Sequence, residues 1–166
     1  MSNQFYVNLN RSICSDKTKR QLVMILNELV TYLIALIYFI CLIVLIIHHE
    51  FRQLFLAVLT PVAGFVIARF LRVILRHPRP YQVIRIRPLD REKKTSFAFP
   101  SCHVASAFVI GTTLLALSFK AAGILVLILG VVLAVLRVMS GGHFIKDVVS
   151  GALLGSLCGI VLHLIY

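Results

Sequence analysis

Long apolar runs, separated by short polar or basic stretches, set the plan of this chain. The first extends from about Val23 to Ile47 and the second from about Leu54 to Leu75. A third follows Ser101 as far as Phe119, a fourth runs from about Ala121 to Leu136, and a fifth from about Lys146 to Tyr166. A helix needs roughly 20 apolar residues to cross about 30 Å of hydrocarbon, so these runs predict membrane spans, the first long enough to tilt. The expected fold is all-α, a polytopic membrane helical bundle of about five transmembrane helices. Pro61 and Gly64 in the second run predict a kink near Pro61. Gly151, Gly155 and Gly159 recur every four residues in the fifth run, the small-residue pattern that lets two helix backbones approach closely.

The polar stretches divide the chain further. Residues 1–22 read as a polar, basic amino-terminal tail, and residues 23–166 as a single membrane-embedded domain. His77 to Phe99 is the one long loop: Pro78, Pro80 and Pro88 discourage a continuous helix, while Arg85, Arg87, Arg91, Lys93 and Lys94 supply charge that suits equally a solvated loop or a lid or rim that attracts an anionic head group. Ser101 after Pro100 is a good helix N-cap, and the free N–H groups behind it form an anion site.

Composition turns the pattern into a membrane assignment. The 166 residues are 60% hydrophobic, too apolar for a water-soluble domain. The polar start contains no apolar core of the kind a cleaved signal needs. Cys14, Cys41, Cys102 and Cys158 are scattered, which suggests neither a disulfide framework nor a zinc pair. A net charge of +11 suits nucleic acid, anionic lipid or a phosphorylated substrate. The basic residues cluster between spans with no aromatic-basic reading module, so nucleic acid is disfavoured and membrane lipid is the expected partner.

Candidate chemistry gathers at span ends. Arg137 to Asp147 places an arginine, a histidine and an aspartate around the Gly141-Gly142 turn. An isolated His-x-x-x-Asp is most often a helix cap with a solvated charge pair. If His143 and Asp147 open the next helix they share a face, and the carboxylate can hold the imidazole in one tautomer. Helices of alternating direction bring the Arg72 to Arg79 cluster, the Ser101 helix start, Arg137 and His143 to one membrane surface. Arginine forks and backbone N–H groups there suit phosphate oxygens, and two histidines suit attack and proton transfer.

These residues resemble the type 2 phosphatidate phosphatase superfamily of membrane lipid phosphatases, whose site is shared with vanadium haloperoxidases. The family signature is Lys, six residues, Arg-Pro; Pro-Ser-Gly-His; and Ser-Arg, five residues, His, three residues, Asp. This chain reads Arg72, six residues, Arg79-Pro80; Pro100-Ser101-Cys102-His103; and Leu136-Arg137, five residues, His143, three residues, Asp147. The resemblance implies that His143 forms a phosphohistidine, that Asp147 orients it, and that His103 protonates the leaving oxygen and later activates water. It also implies that Arg72, Arg79, Ser101, the Cys102 backbone and Arg137 hold the phosphate, and that no metal or other cofactor is needed. His103, His143 and Asp147 could by themselves form a divalent-metal site. Arg72 in place of lysine exchanges an ammonium for a planar fork, Cys102 in place of glycine narrows the helix start, and Leu136 in place of serine removes a hydroxyl.

The implied substrate is a lipid phosphomonoester or diphosphate, with undecaprenyl diphosphate, phosphatidylglycerol phosphate, phosphatidate and lipid A phosphate as candidates. A cysteine-phosphatase reading centred on Cys102 needs an arginine after five intervening residues, where Phe108 stands. A non-catalytic lipid-phosphate binding or translocating protein needs the cradle but not His103, His143 and Asp147 together. The resemblance also suggests a bacterial cell membrane, with the site on its outer face. Of the 17 Lys and Arg, however, only Arg52 and Lys120 fall opposite the motifs, and that bias points the site towards the cytoplasm.

Overall fold

The structure, a computed structural model, describes residues 3–84, 86–89 and 97–165. Arg85, Arg91, Lys93 and Lys94 of the basic loop lie outside the described residues. The helices are α1 (Asn3–Cys14), α2 (Lys17–Ile47), α3 (Phe51–Leu75), the single turn α4 (Pro80–Val83), α5 (Cys102–Ala116), α6 (Lys120–Met139) and α7 (Ile145–Ile165). The described residues contain no strand. Among them, Lys17–Ile47, Phe51–Val83 and Lys120–Met139 are long and apolar enough to cross a membrane, and α5 is a shorter apolar helix.

Both sides of these helices are apolar. On α2, Val23, Val30, Ile34, Cys41 and Leu45 are buried, while Leu22, Ile25, Leu29, Leu36 and Ile43 project outward. A helix in a water-soluble domain would carry polar residues on that outer face, so the pattern fits a bundle surrounded by lipid.

α5 lies at the centre, packed on α3, α6 and α7. Its close seam with α7 comes from the three glycines, which face the backbone of α5. A Cβ on Gly151 would stand 2.6 Å from the Ser101 carbonyl oxygen, and one on Gly155 would stand 2.9 Å from the Val109 nitrogen. The four-residue glycine spacing therefore brings the start of α7 against the start of α5, where the sequence motifs sit.

Pro61 lies inside α3, which continues through it from Phe51 to Leu75. Proline lacks the N–H that would bond to the carbonyl four residues earlier, here Ala57. The Tyr38 hydroxyl on α2 donates to that carbonyl at 3.0 Å, which satisfies it inside the bundle.

The amino-terminal segment expected as a tail contains α1, with Tyr6, Asn10 and Ile13 buried. Asn10 donates to the Arg87 carbonyl at 2.7 Å and accepts from the Arg87 N–H at 3.0 Å. Tyr6 accepts from the Ile145 N–H at 3.2 Å and packs edge-on against Phe144. These contacts span most of the sequence, so no local pattern could have announced them. At the other end of the bundle Arg52 and Lys120 line one crevice with Glu50 and Ser118, as expected for the face away from the motifs.

Candidate active site

Three backbone hydrogen bonds join the separate motifs. The Ser101 N–H donates to the Asp147 carbonyl at 2.9 Å, tying the start of α5 to α7. The Leu89 N–H donates to the Ser140 carbonyl at 3.0 Å, tying the loop to the turn after α6, and the Ala98 N–H closes the loop onto the His77 carbonyl at 2.9 Å. Span ends far apart in sequence are thus held at one end of the bundle.

In the turn after α6, Gly141 takes a left-handed φ of +73°, whereas Gly142 does not require that conformation. The Gly142 carbonyl accepts from Arg79 Nη1 at 3.4 Å, bringing the second motif arginine to the histidine turn. His143 itself lies just ahead of α7, which begins at Ile145, so the expectation that it opens the helix is corrected. Asp147 lies in the first turn, and its Oδ2 accepts from the Phe144 N–H at 2.8 Å. That bond caps the helix start and pins the carboxylate, which favours negative charge at this end of the helix.

His143 and Asp147 are 1% and 0% exposed, with Nδ1 and Oδ2 3.7 Å apart. At that distance the two groups are close without a formed hydrogen bond. His143 Nδ1 and Asp147 Oδ1 have no hydrogen-bond partner among the described residues. Closure of Nδ1 onto the carboxylate would satisfy the ring nitrogen and leave the Nε2 lone pair available. Burial pushes the His143 pKa down to about 4, against the opposing effect of Asp147, and the fields of Arg79 and Arg72 push the same way as burial. The imidazole is therefore neutral at pH 7, the state a nucleophile requires.

Around this pair Arg79, Ser101 and Arg137 are buried. The Ser101 hydroxyl is another buried group with no hydrogen-bond partner among the described residues, at the N-terminus of α5. A hydroxyl and free N–H groups beside buried arginines make an anion cradle. Arg72 also braces the chain just before α5, where its Nε and Nη2 donate to the Pro100 carbonyl at 3.2 and 2.8 Å. Cys102 is the first residue of α5 and is buried.

His103 follows Cys102 but is exposed into two cavities. One, of about 510 Å³, is lined by Ile34, Phe39, Phe65, Ala107, Ile110 and other residues of α2, α3, α5 and α6, with Arg72 at its edge. The other, of about 210 Å³, runs beneath Arg137 and Ser140 and is faced by α2. Arg137 lines the smaller cavity with His103 and Arg72 lines the larger one with it, which places these motif residues around one centre. Among the described residues no group of three or more His, Cys, Asp or Glu is arranged to hold a metal ion. The signal in the sequence for a contribution of α2 is Glu28, which reads most simply as an interfacial residue near the start of an apolar run and otherwise as a functional intramembrane carboxylate.

Residues 52–166 match the PAP2 superfamily model, and the chain belongs to that superfamily. The fold is similar to that of the Aquifex aeolicus LpxE crystal structure, with a TM-score of 0.73 and 24% identity over 96% of this chain and 94% of that one. It is also similar to a transmembrane PAP2-type phosphatidylglycerolphosphate phosphatase from Bacillus subtilis, with a TM-score of 0.56 and 20% identity over 96% and 90% of the two chains. No curated protein sequence matches the chain at a significant level.

Proposed function

We propose that the protein is a membrane lipid phosphatase that hydrolyses a phosphomonoester or diphosphate of a lipid through a phosphohistidine on His143. The observation that carries this reading is the buried His143–Asp147 pair beside an arginine-rich helix start, with His103 opening onto an apolar chamber. Membership of the PAP2 superfamily supports it.

In the first step His143 Nε2 attacks phosphorus while its Nδ1–H donates to Asp147. The phosphorus–oxygen bond to the leaving group breaks, and His103, charged once the anionic phosphate sits among the arginines, gives its proton to the leaving oxygen. Arg79, Arg137, the Ser101 hydroxyl and the α5 N–H groups bind the phosphoryl oxygens as the bonds change. Water then attacks the phosphohistidine, His103 takes the water proton, and phosphate leaves with His143 restored.

Purified protein in detergent should release phosphate from at least one of undecaprenyl diphosphate, phosphatidylglycerol phosphate, phosphatidate and lipid A phosphate, with undiminished rate in EDTA. Absence of turnover on the whole panel would overturn the phosphatase reading, and strict dependence on added divalent metal would overturn the metal-free route. Comparable kcat/KM on short water-soluble esters would remove the lipid from the substrate class.

Arg72 offers a test inside the site. A lysine carries its charge on one ammonium and cannot reproduce the fork that grips the Pro100 carbonyl through two nitrogens. Arg72→Lys is expected to retain reduced but measurable kcat/KM, and Arg72→Ala to lose about 10-fold more. Equal values for all three would place the side chain outside the machinery.

A further inference from the structure

The smaller cavity beside His103 has a polar wall that none of the three motifs supplies. Asn27, Glu28 and Thr31 of α2 line it, opposite Arg137 and Ser140. All three lie outside residues 52–166, the part that matches the family model. Asn27 is 8% exposed, and its side-chain oxygen has no hydrogen-bond partner among the described residues. A buried acceptor without a donor costs roughly 1–3 kcal/mol, so its retention beside a reactive centre points to a ligand group that satisfies it. Thr31 donates its hydroxyl proton to the Asn27 carbonyl at 2.8 Å, so its oxygen joins the Asn27 and Glu28 side-chain oxygens as an acceptor on this helix.

Position decides what those acceptors would meet. His103 borders both cavities, and in the proposed reaction it protonates the leaving oxygen. The leaving alcohol therefore starts at His103 and has two ways to extend. The larger chamber is mostly apolar and suits a hydrocarbon chain. The smaller one offers the Glu28 carboxylate and the Asn27 amide oxygen opposite Arg137, and the two oxygens suit hydroxyl or amide N–H donors on the leaving alcohol.

We infer that Asn27 and Glu28 form a head-group subsite that selects lipid phosphomonoesters whose leaving alcohol carries free hydroxyl or N–H donors next to the ester oxygen. This inference rests on the phosphatase reading and narrows its substrate class. A plain prenyl phosphate has no donor for these oxygens. The leaving diacylglycerol of phosphatidate offers ester carbonyls there, which are acceptors.

The test compares kcat/KM for phosphatidylglycerol phosphate, whose leaving glycerol carries a hydroxyl, with that for farnesyl phosphate, in the wild type, Asn27→Leu and Glu28→Gln. The wild type should favour the hydroxylated ester, and Asn27→Leu, which removes a buried acceptor, should lower the ratio of the two values about 10-fold or more, with a smaller drop for Glu28→Gln, where an exposed side chain loses its charge but keeps an acceptor. Glu50→Gln at the opposite end of the bundle serves as the control for the ratio. A wild-type preference for farnesyl phosphate, or variants that slow both esters in equal proportion, would overturn the subsite while leaving the phosphatase reading intact. Failure of the wild type to hydrolyse either ester, or any other lipid phosphate, would overturn the underlying reading and this inference with it.

Discussion

Replacing His143 by alanine is expected to lower kcat by about 10³-fold or more, since alanine removes the proposed nucleophile and the cradle alone cannot form the proposed covalent intermediate. The side chain is 1% exposed, so loss of folded protein must be separated from loss of chemistry. Size-exclusion profiles in detergent should match the wild type. A rapid acid quench should trap an acid-labile phosphoenzyme in the wild type and none in the variant. Full turnover by His143→Ala would assign the nucleophile elsewhere.

The pH profile gives an independent reading of the same residue. Burial holds the native His143 pKa at about 4, below its ordinary 6.5, so the neutral form persists as pH falls between these values. The acid limb of kcat/KM that arises from His143 should therefore lie well below pH 6.5. The unfolded chain takes up the proton first as pH falls through that window, so stability should decline there as well. Asp147→Asn should change the acid limb as well as kcat, because removing the carboxylate removes an effect that raises the pKa.

The second large effect is expected at Gly155→Leu. The nearest atoms to a new Cβ are the Ala105 carbonyl oxygen, the Val109 nitrogen at 2.9 Å and Phe108 Cβ at 3.0 Å. Two of these are backbone atoms of α5, which no rotamer change can move aside. α7 must shift bodily, and the Ser101–Asp147 backbone link at the site lies along the same seam. Overpacking costs about 1–3 kcal/mol where side chains can yield and more where backbones collide. The expected result is loss of most of the monodisperse protein and a fall in Tm of several degrees or more. Leu153→Ala, on the outer face of α7, should stay near wild type in mild detergent. A well-folded, fully active Gly155→Leu would contradict the close seam.

Much of this was legible in the sequence because membrane helices leave strong local marks. The apolar runs outline α2, α3, α5, α6 and α7 to within a few residues, Ser101 lies at the start of α5, and the glycine repeat marks the face of α7 that meets α5. Alternating helix direction was enough to bring Arg72, Arg79, Ser101, His103, Arg137, His143 and Asp147 to one end. These features depend on spacing along the chain, which the sequence displays directly.

What only the tertiary structure decided depends on contacts between distant segments. Nothing within residues 3–14 shows that Asn10 pairs with Arg87 or that Tyr6 accepts from Ile145, so the segment that forms α1 has the pattern of a tail. Helix periodicity could not show that His143 stands before α7 while Asp147 folds back to cap it, because a four-residue spacing is compatible with either arrangement. The bracing role of Arg72 depended on where the Pro100 carbonyl would fall, 28 residues away. Asn27 and Glu28 gained meaning only when packing set α2 against His103 and Arg137. The sequence by itself determined which residues carry charge, turn the chain or cross the bilayer; the packing of the helices determined which of them share a wall, because burial and cross-helix hydrogen bonding are properties of the assembled bundle.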